Sequence, residues 1–279
     1  MASAVPAPRG GVGRNLTEGP IMNNLLRFAI PIVLTNLVQQ LYSMVDLIVI
    51  GQFVGNAGSI GVNTGGELAD MLAPVAMGFS TAGQIYIAQL VGAKDEAGVK
   101  KAVGTLLTFM LGLSVILGVG GALLCQPILR LLNCPEVGWN QAAAYLIITA
   151  LGTPFVYGYN AVVGILRGMG ESKRPLIFIL VAATVNIFLD LLLVAVFDLQ
   201  AAGTAIATIA SQLGSFLAAF YFLWKKRDQF DFELNLSYFK LDIPCLKILV
   251  RLGIPQVVRS LLVRELIFHH VFSTYDFYK

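Results

Sequence analysis

Residues 176–197 read LIFILVAATVNIFLDLLLVAVF, an apolar run interrupted by one amide, Asn186, and one carboxylate, Asp190. A helix of this length is about 33 Å long at 1.5 Å per residue, which matches the hydrocarbon core of a bilayer. The run therefore predicts a transmembrane helix. Asn186 and Asp190 are four positions apart, so their side chains lie one turn from each other on the same helical face.

Five further runs have similar length and polarity, at residues 25–50, 60–90, 102–124, 142–166 and 201–224. The whole chain of 279 residues is 57% hydrophobic and only 13% charged, with a net charge of +3. Such a composition excludes an ordinary soluble enzyme and a disordered scaffold, and the small net charge gives no support to a nucleic-acid partner. The predicted fold class is all-α, a polytopic bundle of six transmembrane helices whose immediate partner is the lipid bilayer.

Basic residues fall on alternate connections between the six runs. One set of connections carries Arg9, Arg14, Lys94, Lys100, Lys101, Arg167, Lys173, Arg174, Lys225, Lys226, Arg227, Lys240 and Lys247, whereas the intervening set holds only Arg130. Because cytoplasmic loops are enriched in Lys and Arg, this alternation predicts a multi-pass protein of the cytoplasmic (inner) membrane. Its N-terminus is expected in the cytoplasm.

The sequence begins to repeat after the sixth run. Residues LLRFAIPIVLTNL (25–37) align with LVRLGIPQVVRSL (249–261), with identical Leu, Arg, Ile, Pro, Val and Leu positions. After Leu262 the similarity ends, and the polar residues that follow, including His269 and His270, make a seventh span doubtful. We therefore expect four segments: a flexible cytoplasmic leader (1–22), a six-helix N-lobe (23–224), a cytoplasmic linker (225–245) and a truncated start of a second lobe (246–279).

Ionisable residues inside apolar spans are costly and mark functional sites. Asp46 ends a polar line on one face of the first helix, formed by Thr35, Gln39, Tyr42 and Asp46. Gathered with Asn186 and Asp190, it offers the oxygen ligands that a hard monovalent cation prefers, and the same carboxylates could instead carry protons. The sequence therefore predicts a site for sodium or protons, with no other cofactor.

Other polar and small residues on the spans are interpreted separately. Thr204, Ser211 and Ser215 are expected to bond within their own helix or to pack between helices rather than to bind ions. Glu67 and Asp70 either line a cavity or lie at a wet helix entrance. The cysteines Cys125, Cys134 and Cys245 lack metal-ligand spacing and are expected to act as small hydrophobes. Close helix packing is expected at Gly83, Gly104, Gly112, Gly118, Gly164 and Gly168.

Three motifs together carry a family resemblance: LTEGPIMNNLLRFAIPIVLTNLVQQLYSMVDLIVIGQFVG (16–55), IYIAQLVGAKD (85–95) and GILRGMGESKRP (164–175). They resemble the N-terminal half of the multidrug and toxic compound extrusion (MATE) transporters. The resemblance implies two six-helix lobes and a cation site in the N-lobe at Asp46, Asn186 and Asp190. It also implies neighbouring roles for Tyr42, Tyr145, Asn160 and Thr208. The predicted cation-binding residues, which are also the candidate sodium ligands, are Asp46, Asn186, Asp190 and Thr208. The predicted site-lining residues are Gln39, Tyr42, Tyr145 and Asn160.

The leading functional interpretation is a cation-coupled multidrug antiporter that exports cationic or amphipathic small molecules, present here as its N-terminal lobe. One alternative is an inactive fragment or half-transporter that needs a partner lobe. Another is a lipid or polysaccharide-precursor flippase of related fold, which the absence of mid-span Lys or Arg disfavours. An enzyme is not expected, because the spans contain no nucleophile–base pair or metal triad.

Overall fold

A computed structural model describes residues 21–225 and 241–276, apart from the side chains of residues 42, 43, 46, 47 and 263–276. The leader predicted for 1–22 and the linker predicted for 225–245 therefore fall largely outside the described residues. The paired histidines His269 and His270 belong to a helix whose side chains are not described at that point.

All elements in the described part of the chain are helical. The α-helices are α1 (Ile21–Phe53), α2 (Gly55–Gly92), α3 (Glu96–Leu123), α4 (Cys125–Leu131), α5 (Trp139–Gly168), α6 (Lys173–Asp190), α7 (Gln200–Lys225) and α8 (Ile243–Asp276). A short 3₁₀ turn, Glu136–Gly138, precedes α5, and a π-helical segment, Leu191–Val196, extends α6. Within these residues six helices are long and apolar enough to cross a membrane. The predicted all-α, six-helix transmembrane bundle is confirmed.

Helices α2 and α5 run parallel and touch backbone to backbone near both ends. Near the start of the pair, a Cβ added at Gly65 would lie 2.6 Å from the carbonyl oxygen of Ala142. Near the other end, a Cβ added at Gly164 would lie 2.6 Å from the carbonyl oxygen of Ser80. Only glycine permits such an approach, so these residues fix how closely the two helices pack.

Close packing at the predicted glycines is confirmed for Gly83, Gly118, Gly164 and Gly168, and Gly104 is buried. Gly118 packs against the carbonyl of Ala150, which Pro154 cannot bond within α5 because proline has no N–H. The prediction is wrong for Gly112, which is exposed on α3 and where an added Cβ would meet no atom within 4 Å. The three cysteines are free and buried, as expected.

The largest hydrophobic core lies where α3 and α5 pack against α2, and it includes Leu106, Met110, Tyr157 and Leu166. In contrast, α1 and the α6 segment expose large apolar side chains, for example Ile30, Leu37 and Phe188. An exposed apolar face on a membrane-spanning helix is suited to lipid contact. The bundle therefore has a packed interior, with apolar side chains also facing outward from its helices.

The start of the second repeat is a helix, α8, which begins at Ile243, just before the predicted start near Leu246. It is not among the described helices that are long and apolar enough to span a bilayer. It packs against α2 and α3, and at the crossing with α2 a Cβ on Gly78 would lie 2.5 Å from a methyl of Val257. The repeat therefore begins with a helix docked on the six-helix unit.

A polar contact fixes the first turn of α8. The carboxylate of Asp242 accepts a hydrogen bond from the backbone N–H of Cys245 at 3.0 Å and lies 4.0 Å from the Nζ atom of Lys101 on α3. The backbone N–H of Asp242 donates to the hydroxyl of Thr105 at 3.2 Å. The bond from Cys245, helped by the charge of Lys101, holds the pKa of the Asp242 carboxyl below its ordinary value.

Candidate functional site

The polar pair of the fifth span lies in the interior of the lobe. Asp190 is 0% exposed and Asn186 is 1% exposed, although both belong to an otherwise apolar helix. The π-helical segment begins at the residue after Asp190. Such segments are rare in proteins, and those that occur are often found at functional sites. The wider turn changes which side chains face inward. The predicted pair is thus brought into the bundle at a local irregularity of the helix.

The side-chain amide of Asn186 is the clearest mark of a binding site here. Both its Oδ1 and Nδ2 atoms are buried, and neither has a hydrogen-bond partner in the described part of the chain. Leaving a buried polar group unbonded is costly, so such groups call for an explanation such as a ligand or an ion. An oxygen ligand supplied by Asn186, one helical turn from the Asp190 carboxylate, fits a sodium ion.

The hydroxyls of α7 divide into two groups. Ser211 donates to the carbonyl oxygen of Thr208 at 2.8 Å and Ser215 donates to that of Ser211 at 3.0 Å, so the predicted bonding within their own helix is confirmed. Thr204 differs from them, because its Oγ1 atom is buried and lacks a hydrogen-bond partner within the described residues, so of the two expectations only packing between helices remains for it. Thr204 is next to Gly203, which packs against the backbone of Leu193 in the π-helical segment.

Asp46 and Tyr42 lie on α1, but their side chains are outside the described part of the structure, so only their register can be stated. Each membrane-spanning helix has one end at a connection rich in Lys and Arg and the other end at a connection that is not. Measured from the second end at 1.5 Å per residue, positions 46, 145, 190 and 208 all lie about 9 to 12 Å along their helices. Helix α1 packs against α6, and α6 packs against α7. The backbone therefore places these positions at one depth of the lobe.

A small apolar cluster lies toward that same end. It consists of Val49, Ile50, Val54, Val62, Val194 and Ala201, with Val45 and Tyr145 packed against it. The cluster draws on α1, α2, the π-helical segment and α7. Its apolar side chains therefore pack between the level of Asp190 and that end of the bundle.

A cavity of about 520 Å³ opens between α1, α2, α5 and α7. Its polar wall includes three predicted site-lining residues, Gln39, Tyr145 and Asn160, together with Thr208. Asn186 and Asp190 do not line it. The structure thus places Thr208, predicted as a cation ligand, in the wall of the cavity, on the helix that also carries the buried Thr204.

Several polar residues of the cavity were not singled out as site residues by the sequence. They are Gln40, Asp70, Thr153, Tyr157, Tyr159 and Gln212. The acidic character of Asp70 was the only signal that pointed to one of them. The others have residue types that are common on packed transmembrane helices, so only the fold shows that they share a wall.

Comparison with known proteins decides the family. The family model described as MatE matches residues 31–192, which is more than half of the chain and includes both Asn186 and Asp190. The chain belongs to the MatE family. The family is one of transporters, not of enzymes, and its members are multi-pass membrane proteins.

Two bacterial proteins illustrate the curated relatives of this MatE chain. It is 32% identical over 257 residues to the probable multidrug resistance protein YoeA of Bacillus subtilis, covering 90% of this chain and 56% of that protein. It is 27% identical to the multidrug export protein MepA of Staphylococcus saprophyticus, covering 88% of this chain and 54% of that protein. The chain therefore spans about half the length of the curated relatives it matches.

Solved MATE structures share the fold. An outward-facing multidrug resistance MATE family transporter of the MOP superfamily superposes with a TM-score of 0.85 at 24% identity, covering 93% of this chain and 57% of that one. A MATE in complex with MaD3S superposes with a TM-score of 0.81 at 25% identity, covering 93% of this chain and 58% of that one. These matches confirm that the six-helix unit has the fold of one MATE lobe.

Proposed function

We propose that this chain forms the N-terminal lobe of a cation-coupled multidrug antiporter in the cytoplasmic membrane, with its N-terminus in the cytoplasm. The observation that carries the proposal is the buried Asn186–Asp190 pair in the fifth span, whose amide has no hydrogen-bond partner among the described residues. In a family of transporters, a buried carboxylate beside an unsatisfied amide is suited to bind the coupling ion, sodium or a proton. Asp46 on α1 is proposed as the second carboxylate.

The second part of the proposal is that the cavity takes the exported compound. Its volume of about 520 Å³ lies within the usual range for sites that bind drug-sized molecules. The cavity and the buried pair are linked through neighbouring helices, because the pair lies on α6, α6 packs against α7, and α7 carries Thr208 in the cavity wall. A cation bound at the pair would favour one packing of α6 against α7 and so change the wall of the cavity.

The membrane supplies energy for such coupling. One positive charge that moves inward through a potential of 100 mV releases about 2.3 kcal/mol. At about 1.4 kcal/mol per tenfold change, this free energy supports a concentration gradient of roughly fortyfold for a substrate exchanged against one charge.

A half-transporter that needs a partner lobe is the second candidate. In that case the chain alone binds the ion and the compound but does not move the compound across a membrane. A flippase for phosphate-bearing precursors is disfavoured, since no Lys or Arg lines the described cavity.

The experiment is ethidium export from liposomes that contain the purified chain, driven by a sodium or a proton gradient. We expect Asp190→Asn and Asp46→Asn to abolish the dependence on the gradient. Asp198→Asn is the matched control, because Asp198 is exposed in the connection after α6 and its backbone φ of 51° is one that asparagine tolerates. Gradient-driven export that is unchanged in Asp190→Asn would contradict the site assignment.

If the wild-type chain binds ethidium but exports none under either gradient, the half-transporter is the correct interpretation. Export driven by neither gradient, at a rate that both Asp variants share with wild type, would contradict cation coupling itself.

A further inference from the structure

A carboxylate lies near the middle of α2 and faces the cavity. Asp70 is about 22 Å from the first residue of α2 and about 33 Å from the last, at 1.5 Å per residue. It is exposed and lines the cavity, whereas Glu67, three residues earlier, does not line it. A carboxylate at this depth is costly toward lipid, and a water-filled cavity is where such residues are retained.

The backbone of α2 is held in place close to Asp70. The hydroxyl of Tyr157 on α5, whose side chain is 0% exposed, donates to the carbonyl oxygen of Leu72 at 2.9 Å. This bond joins α2 to α5, and residues of both helices line the cavity. The position of the Asp70 carboxylate relative to α5 is therefore set by buried packing, which is what a selective site requires.

The rest of the wall suits the apolar body of a cationic compound. Tyr145, which is partly exposed, lines the cavity together with Met77 and Val156, and the buried rings of Tyr157 and Tyr159 lie behind the wall. Aromatic rings attract organic cations through their electron-rich faces, and methionine adapts to irregular apolar shapes. Asp70 is the one acidic residue among the lining residues of this described cavity, which contain no Lys or Arg.

The buried pair is distinct from this carboxylate. Asn186 and Asp190 lie on α6 and do not line the cavity, while Asp70 lies on α2. We propose that Asp70 determines substrate specificity: it selects organic cations with an aromatic or apolar body over neutral compounds of the same shape. This inference rests on the proposed function, and it assigns substrate selection and ion coupling to different carboxylates.

The test compares the binding of a cation and of a neutral compound to the purified full chain. The probes are tetraphenylphosphonium and triphenylphosphine oxide, titrated in lipid nanodiscs without any ion gradient. Wild type is expected to bind the cation at least tenfold more tightly than the neutral compound. Asp70→Asn should remove about tenfold of the cation affinity and leave the neutral compound unchanged, because one nearby charge has been neutralised.

Two further variants make the result specific. Asp70→Glu keeps the charge and should retain the preference for the cation, and Asp198→Asn removes an exposed carboxylate elsewhere and should behave as wild type. Equal affinity of wild type for the two probes would overturn the inference, even if Asp70→Asn cannot be purified. So would unchanged cation binding in Asp70→Asn.

The outcome also separates this inference from the proposed function. If cation binding survives Asp70→Asn but gradient-driven export is lost in Asp190→Asn, only the role of Asp70 is wrong. If wild type binds neither probe, the substrate cavity of the proposed function is wrong as well, and the inference falls with it.

Discussion

Replacing Gly164 by alanine should separate α2 from α5 one turn beyond Asn160, which lines the cavity. The added Cβ would lie 2.6 Å from the carbonyl oxygen and 2.8 Å from the hydroxyl oxygen of Ser80. Neither helix backbone can rotate away, so the two helices must move apart. The movement also strains the hydrogen bond of 2.6 Å that the Ser80 hydroxyl donates to the carbonyl oxygen of Asn160.

The magnitude follows from three contributions. Overpacking costs about 1–3 kcal/mol, and loss of the Ser80 bond costs about 0.5–1.5 kcal/mol. The higher helix propensity of alanine offsets about 1 kcal/mol. We therefore expect the free energy of unfolding to fall by about 0.5–3.5 kcal/mol, with a decrease in Tm of about 2–4 °C for each kcal/mol.

The assay is thermal denaturation of the detergent-purified protein, followed by the loss of the monodisperse peak in size-exclusion chromatography. Gly112→Ala is the control, since nothing lies within 4 Å of the added Cβ and only helix propensity changes. Gly112→Ala should melt at or slightly above the wild-type temperature. If Gly164→Ala and Gly112→Ala have the same melting temperature, α2 and α5 do not make the close contact between Gly164 and Ser80.

Two further predictions concern single hydrogen bonds. Because the pKa of Asp242 is lowered by the N–H of Cys245 and by Lys101, its contribution to docking α8 is present above the ordinary carboxyl pKa and is lost as the pH falls through the lowered pKa. The protection of amides at the start of α8, measured as exchange relative to the intrinsic rate at each pH, should therefore fall in acid in wild type, and in Asp242→Ala it should be low and independent of pH across that range. Tyr157→Phe should lower the free energy of unfolding by about 1 kcal/mol, because the carbonyl oxygen of Leu72 loses the hydrogen bond from the Tyr157 hydroxyl. Amide hydrogen exchange in the middle of α2 should then be faster than in wild type. Equal exchange in the two proteins would contradict the contact.

The sequence predicts the six spans well because the apolar runs have the length that a bilayer requires. It also predicts the polar pair, since an amide and a carboxylate one turn apart in a span such as 176–197 have few structural explanations. The π-helical segment after Asp190 gave no such signal, because its residues Leu191–Val196 are typical of any apolar helix.

The cavity could be predicted only in part. Gln39, Tyr145, Asn160 and Thr208 were expected near a site, and all four line the cavity. The sequence does not show which flank of α5 meets α2, so Tyr157 resembled any buried aromatic residue. The prediction of close packing at Gly112 was wrong for the same reason, because glycine spacing shows where close packing is permitted but not where a neighbouring helix lies.

Infrared difference spectroscopy of the carboxyl stretching bands tests most directly whether Asp190 holds the coupling ion. Spectra are recorded on the full chain in lipid while the pH or the sodium concentration is changed, which covers both candidate ions in one measurement. We predict a band from a buried carboxyl that responds to protons or sodium in wild type and in Asp198→Asn, and that is missing in Asp190→Asn. An identical response in Asp190→Asn and wild type would contradict the assignment of the coupling ion to Asp190.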